Sequence, residues 1–208
     1  MMYEKVLIAC AGLVLLISGV ALAGVPCAGT TTVVATGSGS CTPGAAICPN
    51  GDYDFVTVTV TVKDCYGTPL AGQMVTVNAT PAGTPFCYCP DGEAAPNDFE
   101  DSKMVGPTNA SGVTSAVFSK FGGCGDMEFY ATIGTVIAGP SVSIYIASPD
   151  NDGNCSVGLV DFGNFALAFP AAAPHDPCMD YNCSGDVDLV DFGQFALHFN
   201  HNCTNPTP

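Results

Sequence analysis

Oxygen-bearing side chains recur at a fixed spacing near the C-terminal end of the chain. Asp150, Asp152, Asn154 and Asp161 stand at positions 1, 3, 5 and 12 of a twelve-residue stretch, and Ser156 stands at position 7. Oxygen ligands at this spacing can wrap around a hard cation such as Ca²⁺, which prefers carboxylate, amide and carbonyl oxygens. The sequence therefore predicts a calcium-binding loop that begins at Asp150.

A second copy of this stretch begins thirty residues later, at Asp180 (180 − 150 = 30). Gly185 occupies its sharp-turn position 6, where the first copy has Cys155. The candidate ligands of the second copy are Asp180, Asn182, Ser184, Asp186, Asp188 and Asp191. Because both copies share one register and run into the same apolar sequence, we predict two EF-hand-type loops that bind two calcium ions.

Each loop is followed by a predicted helix, and no entering helix is expected. The β pattern continues up to the first loop, and the prolines between Pro170 and Pro177 disfavour a helix before the second. Apolar residues recur at i, i+3, i+7 and i+10 in both helices: Leu159, Phe162, Ala166 and Phe169, then Leu189, Phe192, Ala196 and Phe199. One unit is too small to bury such a stripe alone, so the two units are predicted to pack together.

The first 23 residues have the features of a secretory signal peptide. Glu4 and Lys5 precede an apolar run that ends in Ala21-Leu22-Ala23, an A-x-A cleavage signal. A retained membrane anchor is the alternative, because the run is nearly long enough to span a bilayer. Leu7-Ile8-Ala9-Cys10 also fits a lipoprotein cleavage box. All three readings predict an extracellular or cell-surface protein, with no further membrane span.

Charge and motif content exclude several functions. The formal net charge is −15, with four Lys and Arg in total. Such an acidic surface repels nucleic acid and anionic lipid and attracts divalent cations. No catalytic constellation is recognisable, and the acidic residues between Glu93 and Asp101 are expected to form a solvated loop. We therefore expect a protein that is not an enzyme.

The sequence has an all-β pattern from about Thr30 to Ala147. The segment Asp54–Val62 alternates apolar residues with Thr, which is typical of a strand with one buried face. Further strands are predicted near residues 31–35, 74–79, 113–119, 127–133 and 141–147. About seven short strands separated by turns indicate a two-sheet sandwich.

Eleven of the twelve cysteines follow the predicted signal peptide, since only Cys10 precedes residue 24. In an exported chain they indicate disulfides. If consecutive strands run antiparallel, Cys27 lies near Cys65, and Cys87 or Cys89 lies near Cys124, while Cys41 shares a loop with Cys48. The odd cysteine is expected at Cys87 or Cys89. Disulfides are expected to staple the C-terminal module through Cys155, Cys178, Cys183 and Cys203, with a zinc cluster as the alternative. His198 and His201 are expected to cap a helix, with a metal site that includes Cys203 as the alternative.

Two resemblances add to these predictions. The stretches VTVKDCYGTPLAGQMVTVNAT, TNASGVTSAVFS and SVSIYIAS, within residues 54–147, resemble bacterial immunoglobulin-like domains of the invasin/intimin type. That family implies a non-catalytic spacer or adhesion module. The segment from Pro81 to Lys103 departs from the family and is expected to be a long loop.

The duplicated loop and helix resemble the dockerin type I domain, over residues 150–203. That family implies two calcium ions and docking to a cohesin domain. The pairs Leu159-Val160 and Leu189-Val190 replace the small hydroxyl residues that many dockerins carry there.

The predicted fold class is mainly β, with an immunoglobulin-like β-sandwich followed by a small α-helical dockerin-like module. The predicted parts are a signal peptide at residues 1–23, the sandwich at 24–147 and the calcium module at 148–208. The predicted function is that of an exported, non-catalytic surface or scaffold protein that docks to a partner protein. The alternative is an accessory carbohydrate-binding subunit of an extracellular polysaccharide-degrading complex.

Overall fold

The computed structural model describes residues 24–39, 41, 44–82, 85–90, 101–169, 171–172 and 176–203. The predicted signal peptide and most of the acidic segment before Asp101 lie outside these residues. The described chain is mainly β with two short helices. The strands are β1 (Thr32–Gly37), β2 (Ala45–Ala46), β3 (Val56–Thr61), β4 (Val75–Pro81), β5 (Phe86–Tyr88), β6 (Ser102–Val105), β7 (Val113–Phe118), β8 (Phe121–Gly123), β9 (Gly125–Ile133), β10 (Val136–Ile137), β11 (Val142–Ala147), β12 (Ala171–Ala172) and β13 (Asp186–Val187). The helices are α1 (Leu159–Ala168) and α2 (Leu189–His198), and a 3-10 turn spans Pro177–Met179.

Two sheets share the larger hydrophobic core. One has the strand order β1-β3-β7, and the other has the order β2-β11-β9-β4-β6, with β10 paired to β9. Strand β3 buries its valines and leaves its threonines half-buried, so the alternation predicted over Asp54–Val62 is confirmed. Val58 from the first sheet and Val77, Phe129 and Ile144 from the second belong to the same buried cluster. The segment predicted to be one long loop from Pro81 to Lys103 contains β5 and the start of β6.

A second hydrophobic cluster joins the β region to the helices. Phe165 of α1 and Phe195 of α2 pack with Tyr181, and residues of the β region, including Ala147, complete the cluster. Ser148, which follows β11, is fully buried. Because Ser148 is buried, the chain passes from β11 into the first acidic loop through a packed junction. This junction differs from the exposed linkers that usually separate domains.

Among the described residues, four of the five disulfides connect the β region to the C-terminal region. The bond Cys27–Cys65 confirms the pairing expected from antiparallel strands. The others are Cys41–Cys183, Cys87–Cys155, Cys89–Cys203 and Cys124–Cys178. Each of these four closes a loop long enough for about 4–5 kcal/mol of stabilisation in the chain-entropy account.

The expected pairings of the remaining cysteines were wrong. Neither Cys87 nor Cys89 pairs with Cys124, and the cysteines of the C-terminal module do not staple it internally. The unpaired thiol among the described residues is Cys48, which is buried, rather than Cys87 or Cys89. Docking of the helical region onto the β region places these cysteines opposite one another.

Candidate functional site: two acidic loops and an apolar helical face

The first acidic loop closes around its own carboxylates. Asp150 accepts hydrogen bonds from the backbone N–H groups of Asn154, at 3.1 Å, and Cys155, at 2.8 Å. Asp161 is the third residue of α1, and its carboxylate turns back to accept from the N–H of Gly158 at 2.8 Å, which caps the helix. Its other oxygen accepts from the N–H groups of Asn151 and Asp152. Helix capping thus points the last predicted ligand into the loop.

Three carboxylates meet inside this loop. Asp150, Asp152 and Asp161 each offer an oxygen, and these oxygens all lie within 4.8 Å of one another. Asp150 and Asp161 are fully buried. Burial, followed by the charge of Asp161, raises the pKa of Asp150 to about 7. Burial likewise raises the pKa of Asp161. Hard cations take carboxylate oxygens as ligands, so this donor set fits Ca²⁺.

The second loop repeats these contacts. Asp180 accepts from the N–H groups of Ser184, at 3.0 Å, and Gly185, at 2.8 Å. Asp191 accepts from the N–H groups of Asn182 and Asp188, at 3.2 and 2.9 Å. Asp191 is fully buried and Asp180 nearly so, and burial raises the pKa of Asp191. The two predicted loops therefore have the same backbone hydrogen-bond pattern.

The other predicted ligands occupy more exposed places. The amide of Asn154 donates to the carboxylate of Asp152 at 2.9 Å. Asp188 accepts from the N–H of Val190 at 2.7 Å and caps α2. Ser156 and Asp186, at position 7, lie in short β pairings with Asn202 and Ala172. Position 7 of such a loop supplies a backbone carbonyl, so these two side chains are not required as ligands.

Both loops need left-handed backbone at positions 4 and 6. In the first loop these are Gly153, with φ of 67°, and Cys155, with φ of 71°. In the second they are Cys183, with φ of 55°, and Gly185, with φ of 95°. Each loop thus places a cysteine at one of two positions that favour glycine. Both cysteines form disulfides with the β region, Cys155 with Cys87 and Cys183 with Cys41. The disulfides therefore tether both turns to the β region at residues with left-handed backbone.

The two loop–helix units are intertwined. Val157 of the first loop pairs with the segment after α2, through bonds to His201 and Asn200. Val187 of the second loop pairs with Ala171, which follows α1. Since these residues are related by the thirty-residue repeat, the units exchange equivalent segments about an approximate two-fold axis. This confirms that the two units pack together.

The predicted apolar stripe on the helices is not buried. Leu159 is 77% exposed and Leu189 is 73% exposed, while Phe162 and Phe192 are each 40% exposed. The residues that α1 and α2 bury most completely are instead Asp161, Phe165, Asp191, Phe195 and His198. The buried side of each helix therefore holds the capping carboxylate and one phenylalanine. The stripe faces outward.

These outward residues line two grooves, which we call the apolar helical face. One groove, of about 370 Å³, is lined by Leu159, Phe162, Phe192, Phe195, Ala196 and Phe199. The other, of about 200 Å³, is lined by Phe162, Phe165, Ala166, Phe169, Leu189 and Phe192. Every residue of one groove has its equivalent in the other at the repeat distance. Apolar patches of this kind commonly mark interaction sites.

Comparisons with known proteins place the chain in no family. No family model matches it, and no curated protein matches it. Among solved structures, it is similar to invasin, described as a bacterial integrin-binding protein, with 22% sequence identity and a TM-score of 0.36. The match covers 56% of this chain and 19% of the invasin chain. Similarity at this level does not establish a shared fold. No helix in the described part of the chain is long and apolar enough to cross a membrane.

Proposed function

We propose that this protein is an exported, non-catalytic surface or scaffold protein that binds two calcium ions and docks to a partner protein. The immunoglobulin-like β-sandwich serves as a spacer or adhesion module, and the C-terminal dockerin-like loops and helices form the docking module. The observation that carries the proposal is that two loops with buried carboxylates each run directly into a helix that contributes to the exposed apolar helical face. Both calcium loops sit at the start of a helix, so the cations order the face that meets the partner.

Carboxylate burial supports the calcium part of the proposal. Burying ionised carboxylates together costs several kcal/mol unless a cation compensates them. In the first loop the candidates are Asp150, Asp152 and Asp161, held by backbone N–H groups and thus prearranged. Calcium bound by these groups stabilises the folded chain by mass action.

The apolar helical face supports the docking part. Exposed leucines and phenylalanines on two adjacent helices suit a partner protein with a complementary apolar surface and an uncharged centre. A cohesin-like domain is the partner class that the loop–helix repeat suggests. Because Leu159 and Leu189 are the first residues of their helices, calcium binding and partner binding are expected to be coupled.

The test is capture of a partner from the surface fraction of the source cell, followed by binding measurements with the purified partner. We expect binding to be lost in chelator and restored by Ca²⁺ alone. Leu159→Asp with Leu189→Asp should abolish binding. Val136→Asp is the matched control, because Val136 is an exposed apolar residue of the β region. The proposal would be contradicted if all variants bound the partner equally, or if the partner bound with the same affinity in chelator and in Ca²⁺.

The carbohydrate-binding alternative receives less support. Exposed aromatic rings lined up on one face of the sandwich would favour this alternative. Tyr53 is half-buried and stacks on His198 with ring centroids 4.3 Å apart, and Tyr88 is half-buried against Phe121. Tyr66 is almost fully exposed. Tyr130 and Tyr145 are also half-buried, so Tyr66 is the one exposed tyrosine among the five in residues 24–147, all of which the structure describes.

A further inference from the structure

Four side chains outside the calcium loops converge between the β region and the end of α2. Cys48 and Asp52 follow β2, His198 is the last residue of α2, and His201 lies three residues beyond it. Each offers one donor atom, and the four atoms lie within 4.8 Å of one another. Cys48 and His201 are in contact although 153 positions separate them in the sequence.

The spacing of these atoms matches a tetrahedral metal site. The Nδ1 atoms of His198 and His201 are 3.3 Å apart, and each lies 3.4 Å from Oδ1 of Asp52. The Sγ atom of Cys48 is 3.8 Å from Nδ1 of His201. Ligands about 2.0–2.3 Å from a zinc ion at the centre of a tetrahedron are roughly 3.3–3.6 Å apart. The three separations among Asp52, His198 and His201 thus fall in the range of a tetrahedral zinc site, and the Cys48–His201 separation is about 0.2 Å longer.

The surroundings hold this cluster in place. Cys48 is fully buried, and His198 and His201 are 6% and 5% exposed. Asp52 stands at the rim, with 31% of its side chain exposed. The N–H of His201 donates to the carbonyl of His198, and the carbonyl of His201 accepts from the N–H of Val157. The ring of Tyr53 stacks on His198. Packing therefore fixes the ligands without a metal.

The chemistry of Cys48 also points to a metal. The other ten described cysteines form disulfides, and this buried thiol alone remains reduced among them. A catalytic thiol needs access to substrate, and Cys48 has none, because its exposed fraction is zero. A thiolate, two imidazoles and a carboxylate form a donor set typical of zinc.

We propose that Cys48, Asp52, His198 and His201 bind one Zn²⁺ ion. The Cys48 thiol loses its proton on binding, and the thiolate and the Asp52 carboxylate balance the two positive charges of the ion. The histidines remain neutral and bind through Nδ1. With four protein ligands the site is closed, which is typical of a structural rather than a catalytic zinc ion. It fastens the end of α2 to the segment after β2.

The experiment uses the full disulfide-bonded chain with saturating Ca²⁺, so that the acidic loops are occupied. We expect one Zn²⁺ per chain by elemental analysis after reloading. Replacement by Co²⁺ should give the visible spectrum of tetrahedral cobalt and a near-ultraviolet sulfur-to-cobalt band. Cys48→Ser should lose that band, and His201→Ala should lose the bound metal. His175→Ala is the matched control, because His175 is the chain's remaining histidine. This variant should bind one Zn²⁺ per chain, as wild type does.

Asp52→Asn keeps the test decisive if the buried variants do not fold. Asp52 is at the rim, so this variant should fold and bind Zn²⁺ at least about tenfold more weakly. The absence of bound Zn²⁺ in the reloaded wild-type chain would overturn the proposal. So would a cobalt spectrum without the sulfur band, or unchanged Zn²⁺ affinity in Asp52→Asn. Binding of copper but not zinc would overturn the assigned metal.

Discussion

Replacing Asp150 with Asn should stabilise the metal-free protein and destabilise the calcium-loaded protein. Burial raises the pKa of Asp150 from 3.8 to about 7. In the metal-free protein, a group with a raised folded pKa contributes stability that is present below the unfolded pKa and is lost as the pH rises through the folded pKa. The loss between acid and pH 8 corresponds to about 4 kcal/mol. Asn carries no charge and escapes this loss.

The substitution also removes an acceptor. The two oxygens of Asp150 accept from Asn154 and Cys155, and an asparagine side chain has one acceptor oxygen. The lost hydrogen bond costs about 1 kcal/mol. The metal-free variant should therefore be about 3 kcal/mol more stable than wild type at pH 8. Below pH 4 it should be slightly less stable. With excess Ca²⁺ at pH 8 the order reverses, because the variant loses a ligand of the first loop.

Urea unfolding followed by circular dichroism measures these differences, with the disulfides intact. The matched control is Asp126→Asn, since Asp126 is exposed and should behave as wild type. His198 titrates in the opposite sense, because burial lowers its pKa. The contribution of His198 to the free energy of unfolding is the same in wild type and in Asp150→Asn, so it cancels when the two proteins are compared. If Asp150→Asn destabilises the metal-free protein equally at pH 8 and below pH 4, the reasoning about the buried carboxylate is wrong.

Two other predictions concern how the loops are held. Gly122 of β8 lies so close to Asp150 that an added Cβ would collide with its carboxylate, so Gly122→Ala should weaken calcium binding by the first loop in a calorimetric titration. Gly29→Ala, which meets nothing within 4 Å, should leave it unchanged, and equal affinities for both variants would contradict the packing. Peptide mapping without reduction should recover a peptide pair that joins Cys124 to Cys178. Recovery of Cys178 with another cysteine of the C-terminal module would contradict the observed connectivity.

The sequence predicted those features that depend on local pattern. Period-two alternation located β3, since one buried face per strand is a local requirement. The ligand spacing located both loops, and the structure brings Asp150, Asp152 and Asp161 together. Short strands such as β5 were missed because three residues do not establish a period.

Features that depend on docking could not be predicted locally. A helical stripe indicates a face but not what covers it, so Leu159 and Phe162 were expected to be buried and are exposed. The disulfides that join the two regions span sequence separations of 54 to 142 residues. The sulfur beside His198 and His201 belongs to Cys48, because Cys203 is bonded to Cys89. The sequence signals for that site were the two histidines three residues apart and the odd number of cysteines, and neither signal identified Cys48 or Asp52.

Calcium titration of the metal-free, disulfide-bonded chain tests the central claim most directly. We expect calorimetry to show two Ca²⁺ ions per chain. The second loop should bind more tightly, because Asp188 supplies a carboxylate at position 9 where the first loop has Gly158. Asp180→Ala should therefore remove the tighter site, and Asp150→Ala the weaker one. No calcium binding, or an equal response to Mg²⁺, would contradict the account.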